Sequence, residues 1–308
     1  MNKNIEISQK EDTALANQVT ERTLLQETWR RFKKNRLAMA GMYFLIMLVI
    51  ISVATVIVDI VTSNRIYDVY VTGQNLARRL EGPSLEHWFG IDEFGRDVLF
   101  RILWGTRNSL FMGVIAISAA MLTGGALGAI AGFYGGHTDN ILMRLMDILL
   151  AMPPMLLALT MVAALGTSTV NVVIAVAISY IPTFARVLRA SVLTVRDKEY
   201  IEAARAVGTG NARIILEFVI PNSLAPIIVQ GTLGVAGAIL TIASLSFVGL
   251  GVQPPLPEWG LMLSNARTYL REAWHITLIP GLAIMLTILS LNLMGDGLRD
   301  ALDPKLKD

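Results

Sequence analysis

Few residues in this sequence are equipped for chemistry. His87, Asp92, Glu93 and Asp97 fall within eleven positions, a combination of donors that could hold a divalent cation. Arg96 stands among them, however, and a guanidinium there makes the same carboxylates partners in a loop ion-pair network. The other two histidines, His137 and His275, are remote from that group and from each other. All three lie near the ends of apolar runs and are expected to be interfacial and solvated. Cysteine is absent, which excludes disulfides and thiolate metal sites. No Gly-Lys dipeptide occurs, so the phosphate-binding pattern G-x-x-x-x-G-K-[ST] cannot be assembled. No catalytic residue, metal ligand or cofactor-binding residue is expected from this inventory.

The elements that would carry these residues are membrane spans. The chain is 54% hydrophobic and only 16% charged, too apolar for an ordinary soluble domain. Arg36 and Asp59 bracket 22 uncharged residues, and about 20 residues of helix cross a bilayer core of about 30 Å. A second run lies between Arg107 and Asp139, and the 38 uncharged residues from Asp147 to Arg186 suffice for two short spans joined at "GTSTVN", Gly166 to Asn171. A fifth span with an apolar loop lies between Glu217 and Glu258, and a sixth between Glu272 and Asp296. The fold class expected is therefore all-α, an integral membrane protein of six helices with both termini on one side. The basic residues before the first span (Arg30, Arg31, Lys33, Lys34, Arg36), those around Arg186 to Arg213, and Lys305 and Lys307 assign that side to the cytoplasm.

The expected organisation is a disordered tail over 1–25, an amphipathic segment and first span over 26–61, and an extracytoplasmic segment over 62–107. A five-helix core over 108–297 carries a cytoplasmic loop at 194–222, and a tail follows over 298–308. Four spans carry no charge, and Arg144, Asp147 and Arg186 lie at expected span ends. Ion-coupled transporters place ionisable groups at membrane depth as the coupling device. Six such helices without a coupling charge or an ATP site look passive, with energy supplied by a partner. Gly124, Gly128 and Gly132 recur every fourth residue as a face for close helix contact. Pro153-Pro154 and Pro182 are expected to kink or break the third and fourth spans, and "QPPLPEWG" (Gln253 to Gly260) to form an outer loop or gate. Between Gly95 and Gly105, "RDVLFRILW" has the pattern of an amphipathic helix on the outer membrane surface, with Arg96 and Arg101 on its polar side.

One polar island interrupts the apolar runs, "RDKEYIEAARAVGTGNARIILEFVIPN", Arg196 to Asn222. Thr194 to Asp197 has the form of a capping box. Tyr200, Ile201, Ala204 and Val207 share one helical face. Gly208-Thr209-Gly210 breaks that helix, and Thr209 or Asn211 is placed to cap a second one with Ile214, Ile215, Phe218 and Val219 as its apolar face. Pro221 punctuates the entry to the fifth span. Small side chains at Ala203, Ala204 and Ala206 permit close approach of another surface, which Glu202 and Arg205 can orient.

The run "EAARAVG" followed nine residues later by "FVIP" resembles the E-A-A-x-x-x-G-x9-I-x-L-P loop of ABC importer permeases, with Phe218 for Ile and Ile220 for Leu. "HWFGIDEFGRDVLFRILWGTRNSL" (His87 to Leu110) is similar to the signature of the second permease of dipeptide, oligopeptide and nickel importers, with Ile91 for Thr and Phe100 for Ser. "LSFVGLGVQPPLPEWGLML", "NLMGDGLRDALDPKLK" and "WRRFKKNRLAMAG" also resemble that subfamily, so the likeness covers nearly the whole chain beyond residue 25.

The resemblance implies a type I ABC importer permease architecture. The loop would be a coupling helix, with Glu202, Ala203, Ala204 and Gly208 docking on a separate ATPase subunit and Tyr200, Arg205 and Pro221 supporting them. Implied partners are a homologous second permease, two ATPase subunits that bind ATP and Mg, an extracytoplasmic substrate-binding protein, membrane lipid and a peptide substrate, with no nucleic acid. The location implied is a bacterial or archaeal cell membrane. Nickel or glutathione import fits the same signatures, and an ion-coupled secondary transporter is the alternative from another class.

Overall fold

A computed structural model describes residues 24–302. The expected disorder of the N-terminal tail, apart from its last two residues, and the residues Lys305 and Lys307 lie outside the described part. A short helix, α1 (Leu24–Lys34), precedes α2 (Arg36–Val61). Asn35 separates them because its Oδ1 accepts hydrogen bonds from Leu37 N and Ala38 N at 3.1 Å each, starting α2 anew. The other long elements are α3 (Val98–Tyr134), α4 (Gly136–Leu150), α5 (Pro154–Leu165), α6 (Thr169–Val195), a short α7 (Glu199–Ala206) and α8 (Asn211–Phe247). The short α9 (Trp259–Ala266) and the long α10 (Trp274–Leu302) complete the order. Helix α10 runs on into the stretch expected to be a tail. Among the described residues no strand forms beyond one isolated bridge, Ile91 to Asp97.

Five helices, α2, α3, α6, α8 and α10, are long and apolar enough to cross a membrane. The sixth crossing is not a simple span. Helices α4 and α5 meet at 84° across Ala151 to Pro153, where Pro153 and Pro154 remove two backbone donors. Helix α5 has 12 residues, about 18 Å, too short to cross alone. Pro182, by contrast, lies inside α6 without ending it.

Helix α3 packs along α6 through the glycine stripe. A Cβ on Gly124 would collide with the carbonyl of Ile181, one on Gly128 with that of Ala185, and one on Gly132 would lie 2.9 Å from Val192 Cβ. Backbones that approach so closely exclude any side chain there. Ala116, Ala129, Val176, Phe184, Leu188, Val192, Ile227 and Ile242 fill the core between α3, α6 and α8. A second core joins α2 to α8, α9 and α10 through Leu45, Ile239, Trp259, Ile276 and Leu291.

The expected surface helix at "RDVLFRILW" is instead the first turns of α3. Arg96 and Arg101 are 4% and 1% exposed, because both point into the carboxylates of the preceding loop. Arg96 Nε lies 2.7 Å from Asp92 Oδ2 and its Nη2 3.5 Å from Glu93, while Arg101 Nε lies 3.4 Å from Asp92 and its Nη1 donates to the Val71 carbonyl at 2.8 Å. The cluster around His87 is thus built as an ion-pair network, with His87 Nδ1 2.7 Å from Asp97 Oδ2. The histidines do not behave alike. His137 is exposed, His87 is largely covered, and His275 is buried against Gly90. The proline-rich segment folds back into the bundle. Asn108 Nδ2 donates to the Pro257 carbonyl at 2.6 Å, Trp259 Nε1 to the Ile102 carbonyl at 3.2 Å, and Gly260 abuts Ala243. Glu258, 1% exposed, caps α9 by accepting from Gly260 N and Leu261 N at 2.8 and 2.7 Å.

Candidate functional site

The polar island forms a helix, a turn and the start of a second helix, but its caps differ from those expected. Helix α6 continues through Val195, and Thr194 Oγ1 donates back to the Ser191 carbonyl at 2.7 Å, so no capping box forms at Thr194 to Asp197. Helix α7 starts after Lys198, whose carbonyl accepts from Ile201 N at 2.9 Å, without a side-chain cap. Gly210 stands at the start of the second helix, and neither Thr209 nor Asn211 caps it. That helix does not stop at Pro221. A π-helical stretch, Ile214–Val219, absorbs the missing donor and runs directly into the fifth span.

Helix α7 ends in a Schellman motif. Thr209 N donates to the Ala204 carbonyl at 3.0 Å and Gly208 N to the Arg205 carbonyl at 2.9 Å. Gly208 has φ +83°, a left-handed conformation that glycine adopts without a Cβ penalty.

One face of α7 is buried in the permease. Ile201 (0% exposed) and Ala204 join a cluster with Val192, Val195, Phe133, Ile214 and Val219. Burying an isoleucine side chain contributes about 1.5–3 kcal/mol, enough to hold so short a helix in place. Arg205 lies over the Phe133 ring at 5.4 Å, and Arg196 Nη1 donates to the Gly132 carbonyl at 2.7 Å, tying α6 and α7 to the end of α3. The opposite face is open: Glu202, Ala203, Ala206 and Val207 are exposed, and Tyr200 is 43% exposed.

The structure therefore divides the sequence candidates. Glu202, Ala203 and Gly208 are accessible from outside, Ala204 packs inward, and Tyr200 and Arg205 are outward with Arg205 braced on Phe133. Pro221 is exposed within the continuous helix. Val207, expected on the inner face, is 82% exposed because the Schellman turn swings it outward. Helical periodicity could not show this, since the turn abandons the period one residue before Gly208.

A second polar feature was placed differently in the sequence. Arg186, expected at a span end, and Arg189 both lie on α6, whose helix continues beyond them to Val195, and both pair across to α4. Arg189 holds Asp139 through two contacts, at 2.5 and 2.6 Å, and Arg186 Nη2 lies 2.5 Å from Asp147 Oδ1. The spacing of Arg186 and Arg189, three apart on one helical face, was the available signal.

Comparison with known proteins bears on the family and the fold. Residues 124–308 match the family described as binding-protein-dependent transport system inner membrane component, and residues 23–83 match the N-terminal transmembrane domain of oligopeptide transport permease C. The chain is 47% identical to the dipeptide transport system permease DppC of Alkalihalophilus pseudofirmus, over 92% of this chain and 90% of the relative. It is 44% identical to a di/tripeptide permease of Pseudomonas aeruginosa, over 92% and 93% of the two chains. It is also 44% identical to a glutathione permease of Pectobacterium atrosepticum, over 93% of each. A chain of the MetNI methionine ABC transporter in inward-facing form shares the fold, with TM-score 0.54 at 15% identity, covering 67% of this chain and 98% of that one. With a helical bundle suited to several membrane crossings and a family match over most of its length, the chain belongs to the inner-membrane permeases of binding-protein-dependent transport systems, multi-pass proteins of the cell membrane.

Proposed function

We propose that this chain is one of two transmembrane subunits through which an ATP-driven importer passes short peptides. The observation that carries the reading is α7, a helix anchored by Ile201 and Ala204 on one face and open along Glu202, Ala203, Ala206 and Val207 on the other. The open face is the docking surface for an ATPase subunit, and its small residues let that subunit approach closely. ATP and Mg bind on the ATPase partners, and this chain performs no covalent chemistry. An extracytoplasmic binding protein delivers solute, a homologous second permease completes the pathway, and both termini of this chain face the cytoplasm. The two peptide permeases among the relatives support a peptide substrate. The similarity to a glutathione permease supports a second reading, in which the solute is that one modified tripeptide.

The test is copurification and uptake in the assembled transporter. Ala203→Arg adds bulk on the open face, and Glu202→Lys reverses its charge. Both should reduce the ATPase recovered with the chain and the uptake of labelled dipeptide, with membrane abundance unchanged. Normal recovery and uptake in both variants would refute α7 as the docking element. Uptake of glutathione but of no other di- or tripeptide would select the second reading.

A further inference from the structure

Helix α1 carries charge that no contact in the fold neutralises. Between Leu24 and Arg36 stand five cations, Arg30, Arg31, Lys33, Lys34 and Arg36, against one carboxylate, Glu27. Glu27 is already taken by Arg31 at 2.7 Å. Arg30, Lys34 and Arg36 are exposed and form no ion pair among the described residues, and Lys33 lies over the Trp29 ring at 5.0 Å. Helical period puts Trp29 and Phe32 on one side of α1 and Arg30 and Lys34 on the other. Phe32, 5% exposed, sits in a small core with Ala38 and Ala301 and stacks on Trp29 at 5.8 Å. That core clamps α1 to the foot of α2 and the end of α10, and leaves its basic side outward.

The first span fixes what these cations meet. Arg36 opens α2, and the uncharged run that follows it is long enough to cross the bilayer core. The other cations precede Arg36 by six residues at most, which puts the group at headgroup level. Arg36, Tyr43, Ile50 and Ile57 recur every seventh residue on one side of α2. The last three are 62%, 62% and 54% exposed, and the stripe is about 32 Å long. Among the five long spans α2 is the least enclosed by the rest of the chain. Nor does Arg36 serve as a cap. The start of a helix favours negative charge, so a cation in first position gains from an anion beside it.

We infer that α1 and the first turn of α2 form a binding surface for anionic phospholipid, with Arg30, Lys34 and Arg36 facing the headgroups and the stripe from Tyr43 to Ile57 seating acyl chains. Trp29 suits that level, since its ring has an apolar body and a polar edge. Each cation near an anionic bilayer surface raises affinity about fivefold. A protein partner on the basic side would account for the charges but not for their place at the foot of an exposed apolar stripe. Neither the solute nor the open face of α7 enters this assignment.

The test places the membrane complex that contains this chain in phosphatidylcholine nanodiscs with a trace of photoreactive lipid, the reactive group on an acyl chain. A phosphatidylglycerol probe should label Leu37 to Ile57 several-fold more than a phosphatidylcholine probe, and about 0.5 M salt should shrink that excess. Arg36→Gln should raise the phosphatidylglycerol fraction needed for half-maximal labelling about fivefold, whereas Arg36→Lys should change it little. Four cations still precede the span in Arg36→Gln, so its orientation should hold, and the salt dependence of the wild type decides the matter if that variant fails to insert. Equal labelling by the two probes would reduce the stripe to a general lipid face and overturn the inference. So would an excess that ignores both salt and Arg36→Gln. An amine cross-link from Lys34 to another subunit, with no lipid adduct on α2, would assign the basic side to protein and overturn it as well. None of these readouts involves transport, so they stand or fall apart from the peptide reading.

Discussion

Substitution of Gly208 tests whether the geometry of the α7 turn matters for transport. Its φ of +83° lies in the left-handed region, and a Cβ added there would meet no atom within 4 Å. The penalty for a side chain is therefore torsional and not a clash. For alanine or valine it amounts to about 1–2 kcal/mol, and for asparagine, which tolerates this region, to less. A shift of about 1.4 kcal/mol changes a local equilibrium tenfold. The strain is relieved by opening the two hydrogen bonds of the cap, Thr209 N to the Ala204 carbonyl and Gly208 N to the Arg205 carbonyl, whose groups water can satisfy at this exposed site. Ile201 stays buried and the spans are untouched, so membrane abundance should be that of the wild type. Productive alignment of α7 with α8 should suffer. Uptake per subunit and the ATPase recovered with it should fall in the order Gly, Asn, then Ala and Val. Wild-type uptake for Gly208→Val would show that the left-handed turn is dispensable. A loss that tracks membrane abundance would place the effect in folding instead of coupling.

Three further outcomes follow from other contacts. Leu85 and Val207 are 98% and 82% exposed on opposite sides of the proposed topology, so Leu85→Cys should label from outside intact cells and Val207→Cys only after permeabilisation; external labelling at Val207 would invert the orientation. Asp59 accepts from Trp104 Nε1 at 2.9 Å and pairs with Arg107 at 2.7 Å, so Asp59→Asn, which leaves Arg107 uncompensated, should destabilise the detergent-solubilised chain by about 1–3 kcal/mol in thermal unfolding; an unchanged melting point would refute the tie between α2 and α3. In the outer loop, burial first and the neighbouring Asp92 second push the Glu93 carboxyl above its ordinary value. The folded state then holds that proton more tightly than the unfolded state, so this contribution to stability is greatest at low pH and is lost as pH rises through the raised folded pKa. Glu93→Gln should flatten that decline, and parallel stability–pH curves for the two proteins would refute it.

The long spans were legible because each is an uncharged run longer than the bilayer requires, and the glycine stripe because its period matches the helix. The third crossing was legible as one that Pro153-Pro154 would kink or break, but the size of the bend was not. An uncharged run reports what lipid tolerates but not direction, and the break at Pro153-Pro154 turns the chain by 84° while the run continues. Charge patterns misled in the outer loop and were silent on pairing across helices. Arg101 has the sequence spacing of an amphipathic surface helix, yet its partners Asp92 and Val71 precede it and fold back over it. Arg186 ends an uncharged run while its helix continues to Val195, and the sequence did not show its partner, Asp147 of α4. At α7 helical periodicity put Ile201 and Ala204 on the face that is buried, but it put Tyr200 and Val207 there too, and both are exposed. Ala204 packs in the cluster with Val192, Val195 and Ile214, as its place on the Ile201 face implies.

The connections of α7 decide what a push on its open face can move. Toward the N-terminus only Arg196 to Lys198 separate it from α6, and Arg196 is bonded to the Gly132 carbonyl at the end of α3. Toward the C-terminus the cap at Gly208 fixes the angle to α8, which runs unbroken from Asn211 to Phe247. Arg205 adds a direct contact with Phe133 of α3. A displacement of α7 therefore reaches α3, α6 and α8 together, and the close backbone contacts at Gly124, Gly128 and Gly132 leave α3 and α6 little freedom to slide apart. Helices α4 and α5 are attached differently. Helix α4 is tied to α6 by the Asp139–Arg189 and Asp147–Arg186 ion pairs, whereas α5, beyond the angular break, packs into the main core through Ala158 and Val162.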